Sequence, residues 1–233
     1  LEQARRLWAA LARVTVAFPP SGGVTVVVSP ESWLCPPGWA GVVELDGAVL
    51  ATVPEAGLAG RLHDALLGAL DTDIDLSRLP GRLTVHDVLG PATLAYLDAA
   101  DFAPAHRDAD VERLPPGHRD VRPLVASVDA RDADESGMEE VASAVRVLRE
   151  GRDVVAAAGY RPWLDTAAHL SVLVAAAHRG RGLARLVASA AVADALADGL
   201  LPQWRARPEP SRRVARALGF RELGSQISLL LKP

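Results

Sequence analysis

Cysteine occurs once in this chain, at Cys35, and lysine once, at Lys232. A lone cysteine excludes an internal disulfide and any metal site built from several thiolates, and it fits a reducing compartment. Cys35 is expected to be a small, half-buried apolar residue. Aromatic residues make up only 4% of the 233 positions and are not interleaved with the basic ones. The net charge is −4, so there is no broad basic face of the kind that phosphate neutralisation on nucleic acid requires. No uninterrupted apolar run approaches the ~20 residues of a membrane helix, and the opening LEQARRLWAALARV is broken by Arg5, Arg6 and Arg13 where a signal peptide is continuously apolar. These absences predict a cytoplasmic protein with no nucleic-acid or membrane partner.

What is present is an apolar fraction of 49%, ample for one large domain or two small ones. Charge divides the chain. Residues 1–104 hold six arginines against twelve acidic residues, whereas residues 105–233 hold nineteen basic against seventeen acidic. The proline- and charge-rich stretch APAHRDADVERLPPGHRDVRP lies between them and predicts a domain boundary near residue 105. In the first part, the pattern predicts a helix over 1–14, a strand in GVTVVVSP, a hairpin turning at Asp46-Gly47, a helix after Pro54, and then short helical pieces broken by Pro80, Gly81, Gly90 and Pro91. The aspartates ahead of Arg78 read as caps and a solvated face, not as a metal site. In the second part, it predicts a strand in RPLVASVDA, a helix through DESGMEEVASA, a second hairpin turning at Glu150-Gly151-Arg152, and a strand in TAAHLSVLV. A helix over 183–198, a strand in PQWRA, a helix over 209–218 and a closing strand SQISLLL follow. This order predicts a mixed α/β fold, with a central mixed sheet and helices on both faces, preceded by a smaller α+β domain that reads either as a degenerate copy of the same fold or as a domain covering an acceptor.

The junction VLVAAAHRGRGLARLVASAA runs from an apolar strand through an Arg-Gly turn into an alanine-rich helix. A loop entering a helix this way leaves backbone N–H groups exposed at the positive end of the helix dipole. Gly180 and Gly182 remove the side chains that keep a pyrophosphate away, and Arg179 and Arg181 add charge. A tight structural turn is an equally valid reading of Gly-x-Gly alone. A dinucleotide fingerprint fails because Arg185 stands where its third glycine belongs, and a nucleoside-triphosphate loop fails for want of Gly-Lys-Ser/Thr.

Arg179-Gly180-Arg181-Gly182-Leu183-Ala184 resembles the Arg/Gln-x-x-Gly-x-Gly/Ala signature of the GNAT acyltransferase superfamily. VVAAAGYRPW, AHLSVLVAAAHRGRGLA and SRRVARALGF are similar, in that order, to segments of the same family, so the resemblance spans about residues 110–233. It implies an N-acyltransferase that moves acetyl from acetyl-coenzyme A to a small-molecule or protein amine by direct attack. It also implies pantetheine pairing with the strand at Val172, Leu173 and Val174, pyrophosphate on the N–H groups from Arg179 through Gly180, Arg181, Gly182 and Leu183 to Ala184, and a coenzyme contact from Ser211. Buried strand is a compatible reading of 172–174, and a helix N-cap is the alternative for Ser211.

The family's usual tyrosine acid and its asparagine fall, by this resemblance, at Ala215 and Pro208. Their loss motivates a second reading, a noncatalytic coenzyme A-binding module. His169 is the candidate base by its ordinary pKa, although strand alternation in register with Ala168 and Leu170 argues against it. Glu139 and Glu140 are further candidates near the acceptor. Tyr160 and Trp163 are candidates for its pocket, and His178 is expected to be structural.

Overall fold

The computed structural model describes residues 1–70, 75–105 and 110–232. The chain forms two compact units, Leu1–Leu94 with Glu222–Pro233, and Ala95–Arg221. The seam at Leu94/Ala95 lies ahead of the expected boundary near 105, and the last strand joins the first unit because its pairing partners lie there. Part of the expected seam, residues 106–109, falls outside the described residues.

In the first unit, α1 (Glu2–Leu11) buries Leu7, Trp8 and Leu11 on one face, the helical spacing read from the sequence. β2 (Ala40–Leu45) and β3 (Ala48–Val53) form the expected hairpin. Its corner residues Asp46 and Gly47 both take positive φ, at 51° and 75°, as a two-residue turn between right-twisted strands requires. β1 (Val24–Val28) runs parallel to β3, and the closing strand β10 (Arg221–Leu231) runs antiparallel to β2. On the other side of β10 lies β4 (Val85–Tyr96), a strand where short helical pieces were expected. Val42, Val49 and Ile227 from the sheet bury against Leu62 and Leu66 of α2 (Ala59–Leu70). Asp75 caps a 3-10 turn by accepting from the Ser77 N–H, while Asp71 and Asp73 lie outside the described residues. Cys35 is half-buried, its Sγ–H donates to the Trp39 carbonyl, and burial pushes the thiol up to about 11.

The second unit has the strand order β9-β8-β7-β6-β5. These strands are β5 (Glu112–Leu114), β6 (Val145–Glu150), β7 (Asp153–Trp163), β8 (Ala167–Val174) and β9 (Leu201–Ala206). Neighbours are antiparallel except β8 and β9, which are parallel and joined by the crossover helix α5 (Leu183–Ala197). Arg122–Ala126, expected as strand, is the helix α3, because Pro123 sits in its first turn, where the missing N–H is no loss. α4 (Ala130–Ser136) is capped by Asp129, which accepts from the Asp132 N–H. α6 (Glu209–Ala217) follows β9.

Helices therefore cover both faces of this mixed sheet. On one face Ala168, Leu170 and Val174 of β8 bury against Leu186, Val187 and Ala188 of α5. On the other, Leu173 packs with Leu124 of α3 and Met138. Arg146 of β6 clamps α5 by donating from Nε and Nη2 to the two Asp194 oxygens at 2.7 and 2.6 Å. Among the described residues no helix is long and apolar enough to cross a membrane.

Candidate active site

β8 and β9 pair only at their starts. Ala167, Ala168 and His169 stand opposite Leu201, Pro202 and Gln203, and the pairing ends there. Beyond this apex the two strands part, so β8 from Leu170 to Val174 has no β9 pairing on that edge. Val172, Leu173 and Val174 form the lip of the split, and their other edge pairs regularly with β7.

The glycine loop lies just past the open end. After a 3-10 turn over Ala176–His178, Gly180 and Gly182 take φ of +77° and +81°. A β-carbon at either would meet nothing within 4 Å. The turn thus requires glycine for its own geometry, and it also presents bare backbone outward. Gly182 is the N-cap of α5 and makes no side-chain cap bond, which leaves the first-turn N–H groups of Leu183 and Ala184 directed at the same space. The structural-turn reading therefore accounts for both glycines.

Both arginines of the loop have carboxylate neighbours. Arg179 donates from Nη2 to Asp132 of α4 at 2.7 Å and from Nε to the Val174 carbonyl at 3.3 Å. Arg181 donates to Glu150 at the end of β6 at 3.2 Å, and the same carboxylate bonds His178 Nε2 at 2.6 Å. His178 and Arg181 hold the Glu150 carboxyl below its ordinary pKa. His178 is thus structural, as expected. Nearly one turn on from Asp132 in α4, Glu135 pairs with Arg207, just past β9.

His169 lies at the apex of the split, on the face away from α5. Its Nδ1 is 2.5 Å from the Gln203 amide oxygen, and its ring stacks on Trp163 with centroids 4.3 Å apart and planes 13° from parallel. Burial pushes its pKa down to about 3. The nearby Arg205 charge adds to this, the Gln203 bond opposes it, and Arg161 contributes a smaller push down. The imidazole is therefore neutral throughout the physiological range. Assigning its proton to Nδ1, as the bond to the Gln203 oxygen implies, leaves Nε2 as the acceptor nitrogen.

Other candidates separate. Trp163 joins His169. Tyr160 does not, because it is 3% exposed in the α5-side core and its hydroxyl donates to Asp198. It borders a different cavity, about 260 Å³, with Ser143, Arg113 and Asp194. Glu140 accepts from Arg161 at 2.6 Å, and Glu139 is exposed beside it. Ser211 is the third residue of α6 rather than its cap, and its hydroxyl accepts from the Trp204 indole at 3.1 Å. Ala215 is 2% exposed in the core with Trp204 and Phe220, so a tyrosine there has no open cleft to enter. Ala215→Tyr is expected to destabilise the fold by about 1–3 kcal/mol through overpacking. Urea unfolding checks this, and an unchanged midpoint would show that the ring has room.

Gln203, Arg205 and Arg161 were not singled out in the sequence. For Gln203 and Arg205 the signal was the two-residue period of PQWRA, in which these polar residues alternate with Pro202, Trp204 and Ala206, although Gln203 is itself buried.

Comparisons with known proteins place this geometry. Residues 145–225 match the family model for GNAT acetyltransferase. No curated protein matches the chain in sequence. A GCN5-related N-acetyltransferase from Kribbella flavida is similar in structure with a TM-score of 0.51 at 16% identity, over 66% of this chain and 62% of that one. A GNAT-family acetyltransferase from Colwellia psychrerythraea aligns with a TM-score of 0.48 at 13% identity, over 77% and 75%. A tandem GNAT protein from the clavulanic acid biosynthesis pathway aligns with a TM-score of 0.46 at 15% identity, over 99% and 95%. Over residues 145–225 this chain carries the GNAT acetyltransferase pattern, and its fold is the GNAT type of mixed sheet flanked by helices.

Proposed function

We propose that this protein transfers an acetyl group from acetyl-coenzyme A to a primary amine by direct attack in a ternary complex. The observation that carries the reading is the parting of β8 from β9 beyond His169 and Gln203, with the open glycine loop at its mouth. A strand edge without a partner is a ready site for an extended group with alternating amides, so Val172–Val174 is assigned to pantetheine. The residues also fit a pyrophosphate. Two glycines face open space, α5 begins without a side-chain cap, and Arg179 and Arg181 lie alongside.

The amine attacks the thioester carbonyl as the free base, and collapse of the tetrahedral intermediate breaks the C–S bond and expels the coenzyme A thiolate, which takes a proton from water. The β8 backbone supplies donors for the oxyanion, and the split fixes the approach. His169 starts neutral and is too weak a base to carry a proton for long. Its role in this reading is to accept a hydrogen bond from the incoming amine through Nε2, while water takes the proton away. Rates should therefore rise with pH toward the acceptor amine's own pKa, with no limb near the ordinary histidine value.

A second reading, a coenzyme A-binding module without turnover, draws support from the buried Ala215 and the low basicity of His169. Thiol release from acetyl-coenzyme A across a panel of primary amines decides between them. Transfer to at least one amine supports the enzyme, whereas tight binding with no transfer to any supports the module.

Asp132 competes with the donor for Arg179. Asp132→Asn is expected to tighten acetyl-coenzyme A binding by about two- to fivefold, the range of an exposed ion pair. Screening should shrink that gain at high salt. Calorimetric titration at two ionic strengths checks it, and unchanged or weaker binding would show that Asp132 positions Arg179 rather than competing for it.

A further inference from the structure

Trp163 and Gln203 hold the His169 ring in two different ways. The indole stacks on it with planes 13° from parallel, which fixes the plane of the imidazole but is indifferent to which nitrogen carries the proton. Gln203 reaches the edge of the ring. It stands opposite His169 in the last pair before β8 and β9 part, and its amide oxygen lies 2.5 Å from Nδ1. For a neutral imidazole that bond decides the tautomer, because a proton on Nδ1 leaves Nε2 its lone pair and a proton on Nε2 removes it.

The other half of the amide shows what this residue is kept for. Gln203 is completely buried, and its Nε2 is bonded to no described group. A buried amide N–H without an acceptor costs stability, so an apolar side chain of similar size would fill the position at lower cost. Among the described residues, the one bond of the Gln203 side chain goes to His169 Nδ1. The charged groups that act on the ring are Arg205 and Arg161, and Glu140 is bonded to Arg161. The two cations oppose the imidazolium. The two neutral forms carry the same charge, so the Gln203 bond is what separates them.

We propose that Gln203 is a positioning residue, which holds His169 as the Nδ1–H tautomer so that Nε2 is the acceptor nitrogen for the incoming amine. This deepens the acyl-transfer reading and rests on it for the amine.

The test combines ring 15N spectra with kinetics on the full chain, the His169 signals being assigned by their loss in His169→Gln. The wild type should show a protonated Nδ1 and a bare Nε2. Gln203→Leu should move the ring toward the Nε2–H form that a histidine side chain favours in water. It should lower kcat/KM for an acceptor amine by about tenfold, the worth of one hydrogen bond to the reacting group, with acetyl-coenzyme A affinity unchanged. Gln203→Glu supplies a carboxylate that also accepts from Nδ1, but it favours the imidazolium and so raises the pKa of the ring. At about pH 9, well above the ordinary histidine value, that ring is neutral and the rate should be close to wild type. As pH falls through the raised pKa the ring gains a proton, Nε2 no longer accepts, and the rate should drop along a histidine limb that the wild type lacks.

A proton on Nε2 in the wild type, a tautomer that does not respond to Gln203→Leu, or a tautomer that responds while kcat/KM stays unchanged overturns the proposal. So does an equal loss of kcat/KM in Gln203→Leu and in Gln203→Glu at the higher pH, since that pattern reports packing and not the proton. Should Gln203→Leu fail to fold, the wild-type spectrum and Gln203→Glu still decide. If the wild type acetylates no amine in a broad panel, the acyl-transfer reading falls, and the ring nitrogen signals alone decide whether Gln203 sets the tautomer.

Discussion

Gly182→Val is expected to lose acetyl-coenzyme A affinity by about 100-fold or more while the second unit still folds. Gly182 takes φ of +81° and its missing side chain points into space that the protein leaves open. A β-carbon there meets no protein atom within 4 Å, and valine's branches would occupy the approach to the first-turn N–H groups of α5. Losing two charge-assisted bonds at about 1.5 kcal/mol each accounts for roughly that factor. The substitution also carries backbone strain of about 1–2 kcal/mol, because a branched L-residue resists this conformation. Gly199 supplies the control. It lies at the other end of α5, with φ of +72° and equally open surroundings. Gly199→Val should lower stability to a similar degree and leave affinity alone. Equal affinity in Gly182→Val and the wild type would remove the loop from the binding site.

The second large effect is acid sensitivity stored at His169. The ring's folded pKa, about 3, lies below the ordinary value of 6.5. Between those values the unfolded chain takes up a proton that the folded chain refuses, so stability falls as pH drops through 6.5 and levels off near 3. The slope is at most about 1.4 kcal/mol per pH unit. Replacing the ring by an amide removes this titration and leaves the shared carboxylates in place. Between pH 7.5 and 4.5 the wild type should therefore lose about 2–3 kcal/mol more than His169→Gln. Urea unfolding of both proteins at both pH values checks it. Parallel losses would mean that the imidazole is not held neutral and is available as a base.

These two sites differ in how far the sequence revealed them. Gly180 and Gly182 announced themselves, because positive φ at a strand-helix junction demands glycine and the chain names the residue. Asp46-Gly47 and Gly151 marked both hairpins for the same local reason. β8 and α5 followed from their periods.

The misses were nonlocal. Gly90 and Pro91 read as breakers within what proved to be β4, where pairing in the first unit overrides local preference. The apolar RPLVASV suggested a strand, but Pro123 favours a helix start and α3 covers Leu173. His169 showed its type, but its neutrality depends on Trp163, Gln203 and Arg205 converging from two other strands. Arg205 carried a period-two pattern with nothing in the chain to say which side α5 would fill.

Hydrogen–deuterium exchange with and without acetyl-coenzyme A tests the central claim most directly, because it reports where along the chain the donor sits. The account predicts new protection at the amides of 172–174 and 180–184, with the buried interior of α5 unchanged. Binding without protection at those two segments, or protection confined to residues outside the split and the glycine loop, would contradict it.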